Sequence, residues 1–450
     1  MNFVTPTHRR FRSPLSVAIV SLLFVAAGLV ATRSTAAPPV GPPSGSGNAT
    51  FRSFNGVNNL PQAALAEQMG LGWVRMDFVW ATIEPQKNQW NWAKTDNLVR
   101  GAQAQGLQVL PLLAHTPPWA NGGRSQIYPA NQIADWESFV EHAVERYSAA
   151  PYNLRYFQVW NEPTLQAGFF KAARNLDYID LIYLPAAKII RQHGCYVVFG
   201  GWPASNSLQE LAGILNYHNA IQWTDIVDVH YRSAADWQQL YNTWVATGKC
   251  RGLWQSETGY SAGPDFITVV YNRLLFMSLQ WGWKNPDAYK LFYYAAWGSG
   301  ADGEKCLTKT GPGGPLVLSH NGVRLAAMSQ VLGGGTLAPF TQFTANPPMP
   351  VMALGRGGPT AAGYRVGSNR VVIAFFLGRP AAGNRPSASF TIALPSRPSH
   401  VQLVSPTGSQ HWDLPSQYSG GRLQVAVPLR TGVDVCPQCG LIEGYLVVDQ

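Results

Sequence analysis

Charge is scarce in this chain: Asp, Glu, Lys and Arg make up 13% of the 450 residues, against 46% hydrophobic. Such a composition excludes a solvated, disordered chain and leaves apolar material for a large core. No run of five or more Lys/Arg occurs, so a nucleic-acid stripe is absent and no nucleic-acid partner is expected. Four of the nine net positive charges are Arg9, Arg10, Arg12 and Arg33, with no acid among the first 37 residues; the remainder carries a mild excess. Cysteine is rare as well, with five residues. The CPQC string has no second pair or His cluster near it, which argues against zinc and for a local Cys436–Cys439 disulfide. Cys195, ahead of the apolar run YVVFGG, reads as a buried thiol. The histidines lie far apart and lack ligand spacing, so neither metal nor cofactor is expected. After the N-terminal region no apolar run is long enough to span a bilayer.

That N-terminal region is the exception. A basic HRRFR is followed by the apolar SPLSVAIVSLLFVAAGLVAT and then by small residues, RSTAAPP. Residues 1–37 therefore read as a cleaved signal peptide or an uncleaved membrane anchor. Either predicts export: a secreted protein, or one held at the outer face of the cytoplasmic membrane. A Pro/Gly/Ser linker covers 38–50.

Aromatic residues are abundant, with 16 Trp, 18 Tyr and 19 Phe. Flat rings stack on sugar faces, but they also fill cores. From residue 51 a rhythm begins. Eight short apolar runs start at FNGVN (54–58) and GWVRMDF (72–78). They continue with LQVLPLLA (107–114), LRYFQVW (154–160), YVVFGG (196–201), IVDVHY (226–231), GLWQSE (252–257) and KLFYYAAW (290–297). Helical stretches separate them, such as NQIADWESFVEHAVERYSA and DYIDLIYLPAAKIIRQHG, the latter ending on a C-capping Gly194. The runs are apolar rather than alternating, as parallel strands covered on both faces are. The repeat is about 34 residues, close to one βα unit. FNGVNNLPQ is no Gly-rich phosphate loop, which argues against an open dinucleotide-binding sheet. The pattern predicts an α/β fold: a (β/α)8 TIM barrel over 51–335. Over 336–450 short strands alternate with turn residues, which predicts an all-β sandwich.

Chemistry in such a barrel sits at the C-terminal strand ends. Arg75 and Asp77 lie on the second strand and His115 ends the third. Asn161 and Glu162 end the fourth, His230 and Tyr231 the sixth, Glu257 the seventh and Trp297 the eighth. Ends of strands four and seven face each other across a barrel mouth. Two facing carboxylates are what glycosidic hydrolysis needs, one giving a proton and the other attacking or activating water. Their environments must separate them: Arg75 beside Glu257 would hold that group charged, and aromatic neighbours would raise Glu162. Asp77 reads as structural. Trp119, Trp202 and Trp254 are either sugar platforms or core.

WNEP (160–163) followed about 95 residues later by QSETG (255–259) resembles the clan A glycoside hydrolases. WVRMDFVWATIEPQKNQWNW followed by GLQVLPLLAHTPPWA is similar to the family 39-like and family 5-like branch, which includes bacterial exopolysaccharide hydrolases. The resemblance spans about residues 52–300. It implies a retaining double displacement on a poly- or oligosaccharide, with Glu162 as acid/base and Glu257 as nucleophile. Asn161 would hold the sugar 2-hydroxyl, Arg75 and Tyr231 would orient Glu257, His230 would line the site and Trp297 would floor it. His115, ahead of TPPW, joins the substrate-binding set. A cell-surface transglycosylase or a catalytically dead carbohydrate-binding barrel stands as the alternative.

Overall fold

The computed structural model describes residues 49–260, 263, 266–298, 305–311, 313–350, 359–378, 387–428 and 442–450. The signal or anchor segment, nearly all of the linker, and Cys436 and Cys439 lie outside the described residues. Among the described residues no helix is long and apolar enough to cross a membrane.

The eight apolar runs become eight parallel strands that close on themselves. They are β1 Asn55–Asn58, β2 Trp73–Val79, β3 Gln108–Ala114, β4 Tyr156–Val159, β5 Tyr196–Val198, β6 Ile226–His230, β7 Gly252–Thr258 and β8 Tyr289–Tyr293. β1 pairs with both β2 and β8, which closes the cylinder. Several strands are shorter than the apolar runs suggest. Trp160, Tyr231 and the segments 199–201 and 294–297 leave the ladder at its C-terminal end and turn into the loops.

Helices cover the outside, most through one apolar stripe, whereas Asn272–Gln280 is buried almost all round. In Ile133–Ser148 the buried residues Trp136, Phe139, Val140, Ala143, Val144 and Tyr147 recur at three- and four-residue steps. The stretch ending at Gly194 is a π-turn over Ile179–Tyr183 running into an α-helix over Leu184–Gln192, with Gly194 left-handed at φ 68°. A Ser207–Glu210 capping box starts the helix Leu208–Asn216.

A small hairpin of β9 (Thr308–Thr310) and β10 (Leu316–Leu318) and a helix His320–Leu332 follow the barrel. Two antiparallel sheets come next. One has six strands in the order β11 (Leu337–Pro339), β13 (Thr360–Val366), β14 (Arg370–Gly378), β20 (Ile442–Asp449), β16 (His400–Val404) and β17 (His411–Asp413). The other has four: β12 (Phe343–Asn346), β15 (Ser387–Ala393), β19 (Arg422–Pro428) and β18 (Ser416–Ser419).

The six-stranded sheet is buried on both faces, and its alternation shows how. Val371, Ile373 and Phe375 of β14 and Leu446 and Val448 of β20 join the core between the sheets, where Phe375 meets Phe390 of β15. The intervening Val372, Ala374, Tyr445 and Val447 join the barrel core, along with Ala362, Tyr364 and Val366 of β13. The sheet is therefore a shared wall. Polar contacts fix it in place. Tyr364 Oη donates to the carbonyl (3.0 Å) and Oδ1 (2.9 Å) of Asn272, and the buried Arg324 pairs with Glu443 at 3.0 Å. Trp412 is half-buried on β17.

Candidate active site

Arg75 organises the mouth of the barrel. It projects inward from β2, only 3% exposed. Its Nη1 reaches Glu257 Oε1 at 2.8 Å and Asn58 Oδ1 at 3.0 Å. Nη2 donates to Asn161 Oδ1 at 2.7 Å, and Nε to Gln158 Oε1 at 2.6 Å. One planar guanidinium thus binds strands β1, β2, β4 and β7, a span a point-charge lysine cannot cover.

Glu162 follows β4. Its backbone N–H donates to the Gly200 carbonyl at 2.8 Å, and its Oε1 lies 2.9 Å from His230 Nδ1. Burial raises its pKa above the usual carboxylate range, and Arg75 offsets only part of that. His230 is fully buried, and burial pulls its imidazole down to about 4, so the ring is neutral at ordinary pH. Its Nε2 lies 3.0 Å from Ser256 Oγ. Gly201, with φ 63°, lies flat on that ring; a Cβ there would come 2.2 Å from Nε2. Tyr231 Oη reaches toward Glu257 Oε2 at 3.4 Å from a half-exposed ring. A carboxylate oxygen of Glu162 and one of Glu257 lie within 4.8 Å of each other.

Two backbone features bring these groups together. His115, Trp160, Glu162 and Tyr231, all at strand exits, carry positive φ of 72°, 67°, 41° and 52°. Non-glycine residues there are strained by about 1–3 kcal/mol each, and such strain gathers at functional sites. The second feature is a bulge in β7. Val229 pairs with Gln255 but His230 with Glu257, so Ser256 is an extra residue. Strict alternation would send Ser256 and Glu257 to opposite faces, whereas the bulge lets both side chains reach the barrel interior.

The structure gathers Arg75, Asn161, Glu162, His230, Tyr231 and Glu257 into one hydrogen-bonded cluster. His115 and Trp297 take no part in it. His115 sits at the mouth beside Trp160, its pKa lowered by burial. Trp297 stands beyond β8, 49% exposed, its backbone paired with Thr308. Asp77 corrects the structural reading. It is exposed near the end of β2, its carboxylate makes no hydrogen bond among the described residues, and its charge reaches His115 and Tyr294. Trp202 and Trp254 are wholly buried and are core rather than platforms, while Trp119 is half-buried with Nε1 donating to the Glu84 carbonyl. Cys195 is a buried thiol, as is Cys250, which burial pushes up to about 12.

Asn58, Gln158, Asp228 and Ser256 also belong to the cluster, and the sequence reading passed over them. Gln158 and Asp228 each stand between two apolar neighbours in a buried strand, which is a signal that could have found them, whereas Asn58 and Ser256 have polar neighbours in sequence and give none. The GYSAG string at 259–263 has the bare spacing of a nucleophile elbow, but Ser261 lies outside the described residues. Glu162, His230 and Glu257 offer ligand atoms close enough to share a metal ion, which linear spacing does not reveal. Arg75 already supplies a fixed positive charge at Glu257, which disfavours a cation there.

The sequence model of the cellulase family (glycosyl hydrolase family 5) matches residues 43–262, which includes β1 to β7. Among solved structures the fold is similar to a family 39 glycoside hydrolase from Bacteroides cellulosilyticus WH2. The TM-score is 0.60 at 12% identity, over 88% of this chain and 81% of that one. It is also similar to the family 30 subfamily 8 xylanase Xyn30A of Clostridium acetobutylicum, with TM-score 0.57, 14% identity, and 90% and 98% coverage. A monomeric beta-xylosidase of Caulobacter crescentus CB15 gives TM-score 0.56, 12% identity, and 91% and 97% coverage. No curated protein matches the chain. Fold and family match together define an enzyme acting on glycosidic bonds. The chain is a glycosidase built on a closed eight-stranded parallel barrel, and its substrate is a carbohydrate.

Proposed function

We propose that the chain is an exported retaining glycosidase that cleaves an O-glycosidic bond of a poly- or oligosaccharide by double displacement. Glu162, raised by burial, gives its proton to the leaving oxygen. Glu257, paired with Arg75, attacks the anomeric carbon. Water then enters with Glu162 as base and releases the sugar. Asn161, held by Arg75, meets the 2-hydroxyl, and Trp297 and Tyr231 offer half-exposed rings to the sugar face.

The observation that carries this reading is the spacing. Retaining enzymes hold the two carboxyl groups about 5–5.5 Å apart, whereas inverting ones need roughly 6.5–9.5 Å to admit water. Oxygens of Glu162 and Glu257 within 4.8 Å fit the first class. Export rests on the N-terminal basic and apolar runs, and recovery of the protein in the cytoplasm would overturn it.

The test uses aryl glycosides. Glu162→Ala should slow substrates with poor leaving groups by about 10²–10⁴-fold and spare those with good ones. Azide should rescue the variant and yield a glycosyl azide of retained configuration. Equal loss on all leaving groups without azide rescue rejects the assignment, and a first-formed sugar of inverted configuration rejects double displacement. Product analysis with added acceptor sugars separates hydrolysis from transglycosylation, which the same residues would serve.

A further inference from the structure

Beneath the two glutamates lies a row of buried polar groups whose hydrogen-bond directions are all determined. The row starts at Arg75, which can only donate. Its Nε donates to Gln158 Oε1, so the Gln158 amide nitrogen must face the other way. That nitrogen does find acceptors, the Phe199 carbonyl at 3.2 Å and Asp228 Oδ2. A donor on one side and a carbonyl on the other fix the amide independently. Asp228 is wholly buried and also accepts the Ser256 backbone N–H at 2.8 Å and the Ser256 hydroxyl. With its one proton spent on Asp228, Ser256 Oγ turns a lone pair to His230 Nε2. The neutral imidazole therefore carries its proton on Nε2. Its Nδ1 is a bare lone pair, 2.9 Å from Glu162 Oε1. Two acceptors cannot share that contact, so the Glu162 carboxyl must hold the proton.

We propose that Asp228 is a positioning residue for this reaction: through Ser256 and His230 it orders the hydrogen bonds so that the proton in the row rests on Glu162. The proposal rests on the reading of Glu162 as the acid. It also gives Arg75 a second task, since the guanidinium that pairs with the nucleophile sets the order that protonates the acid.

Both ends of the row compete for the proton. Burial pushes Asp228 up to about 7, against the lowering effect of Ser256 and Arg75, and burial raises Glu162 too. The donors decide. Gln158, the Ser256 amide and the Ser256 hydroxyl converge on Asp228, whereas His230 is the hydrogen-bond partner of Glu162. The other charged or titratable groups facing the row are Arg75 from β2, Glu257 from β7, and Tyr231 and Arg232 just after β6. None of them contacts Ser256 Oγ, so they do not bridge the row.

The experiment measures kcat/KM against pH on two aryl glycosides, one with a poor and one with a good leaving group. Ser256→Ala cuts the row. Asp228→Asn puts an amide donor where Ser256 Oγ needs an acceptor, which turns the row around and points an Nδ1–H at Glu162. Both variants should move the alkaline limb for the poor leaving group down by about one pH unit or more. Ser256→Thr keeps a hydroxyl and should keep the limb. Rates lowered evenly across pH, with the limb unmoved, would overturn the proposal. Should either variant fold poorly, NMR of the isotope-labelled histidines in the unaltered protein decides: a proton on His230 Nε2 supports the row, and one on Nδ1 refutes it. Glu162→Gln on the same two substrates separates the failures. If it slows both equally, the acid assignment falls. If it spares the good leaving group while Ser256→Ala leaves the limb in place, only the row falls.

Discussion

The two ends of the barrel are built from the same strands and carry the same kind of chemistry, yet only one is a site. At the mouth, Arg75 pairs with Glu257 at 2.8 Å. At the foot, Lys290, also wholly buried, pairs with Asp287 at 2.9 Å. The difference is in what is left over. At the foot Lys290 Nζ also donates to the Ser53 carbonyl and lies 4.0 Å from the Trp73 ring. Tyr156 Oη donates to the other Asp287 oxygen. Trp73, Leu110, Tyr156, Val198, Ile226, Trp254 and Phe292 fill the space inside. Exposure is not the difference, since the glutamate side chains keep 15% and 12% of their surface and Asp287 keeps 25%. At the mouth Glu257 Oε2 has, among the described residues, only the 3.4 Å hydrogen bond of Tyr231, and a second carboxyl, Glu162, stands beside it. A buried ion pair is therefore weak evidence of function on its own. A pair whose carboxylate keeps an open oxygen next to a second, raised carboxyl is strong evidence.

The sharpest way to break this comparison is the same change at both ends. On the proposed double displacement Glu257→Gln removes the nucleophile, so it should lower kcat by more than about 10⁴-fold on every substrate and leave the fold intact. Asp287→Asn should leave kcat unchanged and cost roughly 1–3 kcal/mol in denaturant unfolding, because Lys290 loses its partner at a partly open position. Loss of activity at the foot, or its survival at the mouth, would show that the two ends had been assigned the wrong way round.

A cut after Gly335 comes next in size. It removes the shared sheet and exposes the barrel surface that Tyr364, Val366, Val372, Ala374 and Val447 cover. The shortened chain should aggregate or melt far lower. If it stays folded and fully active on small aryl glycosides and loses only its hold on polymer, the module is a glycan binder.

Lys290 supplies a smaller effect with a definite pH sign. Burial pulls it down to about 8 in the folded protein, from 10.5 ordinarily, although Asp287 opposes the shift. Between those values the unfolded chain binds a proton that the folded chain does not. Lys290 therefore destabilises fully below about pH 8, and the cost is relieved as pH rises toward about 10. Relative to Lys290→Met, the unaltered protein should gain about 2–3 kcal/mol across that window. A flat difference would mean that the ammonium keeps its charge on burial.

How much of this was legible depended on periodicity. The spacing of apolar runs sufficed for eight strands, and position at a strand end sufficed to place Asn161, Glu162, His230, Tyr231 and Glu257 at one mouth of the barrel. What alternation could not supply was the β7 bulge, which brings Ser256 and Glu257 to one interior. Nor could it supply the left-handed exits at Trp160 and Glu162. Both are local departures from regular geometry, selected by packing across strands distant in sequence. Asp228 lies two residues before His230, but only the folded barrel sets it against Gln158 from β4, 70 residues away in sequence. Asp77 reads as structural from its place on a strand; only the folded barrel shows an exposed carboxylate whose charge acts on His115 and Tyr294.

The smallest effect lies between mouth and foot, on the barrel's side wall. Tyr364 of the shared sheet is fully buried, and its one hydroxyl proton is shared between both oxygens of Asn272 at the start of the helix Asn272–Gln280. Its ring stands edge-on to Phe276 at 5.9 Å. Tyr364→Phe keeps the ring and deletes only the hydroxyl, so no large cavity forms. The Asn272 carbonyl and amide oxygens lose this donor away from water, at a cost of about 1–2 kcal/mol. If the comparison of the two ends is right, distance from the open mouth decides the outcome. The variant should melt a few degrees lower, with kcat, KM and the pH profile on aryl glycosides unchanged. A shifted pH profile would mean that the shared sheet communicates with the glutamates through the wall of the barrel, and the division between a working end and a structural remainder would have to be redrawn.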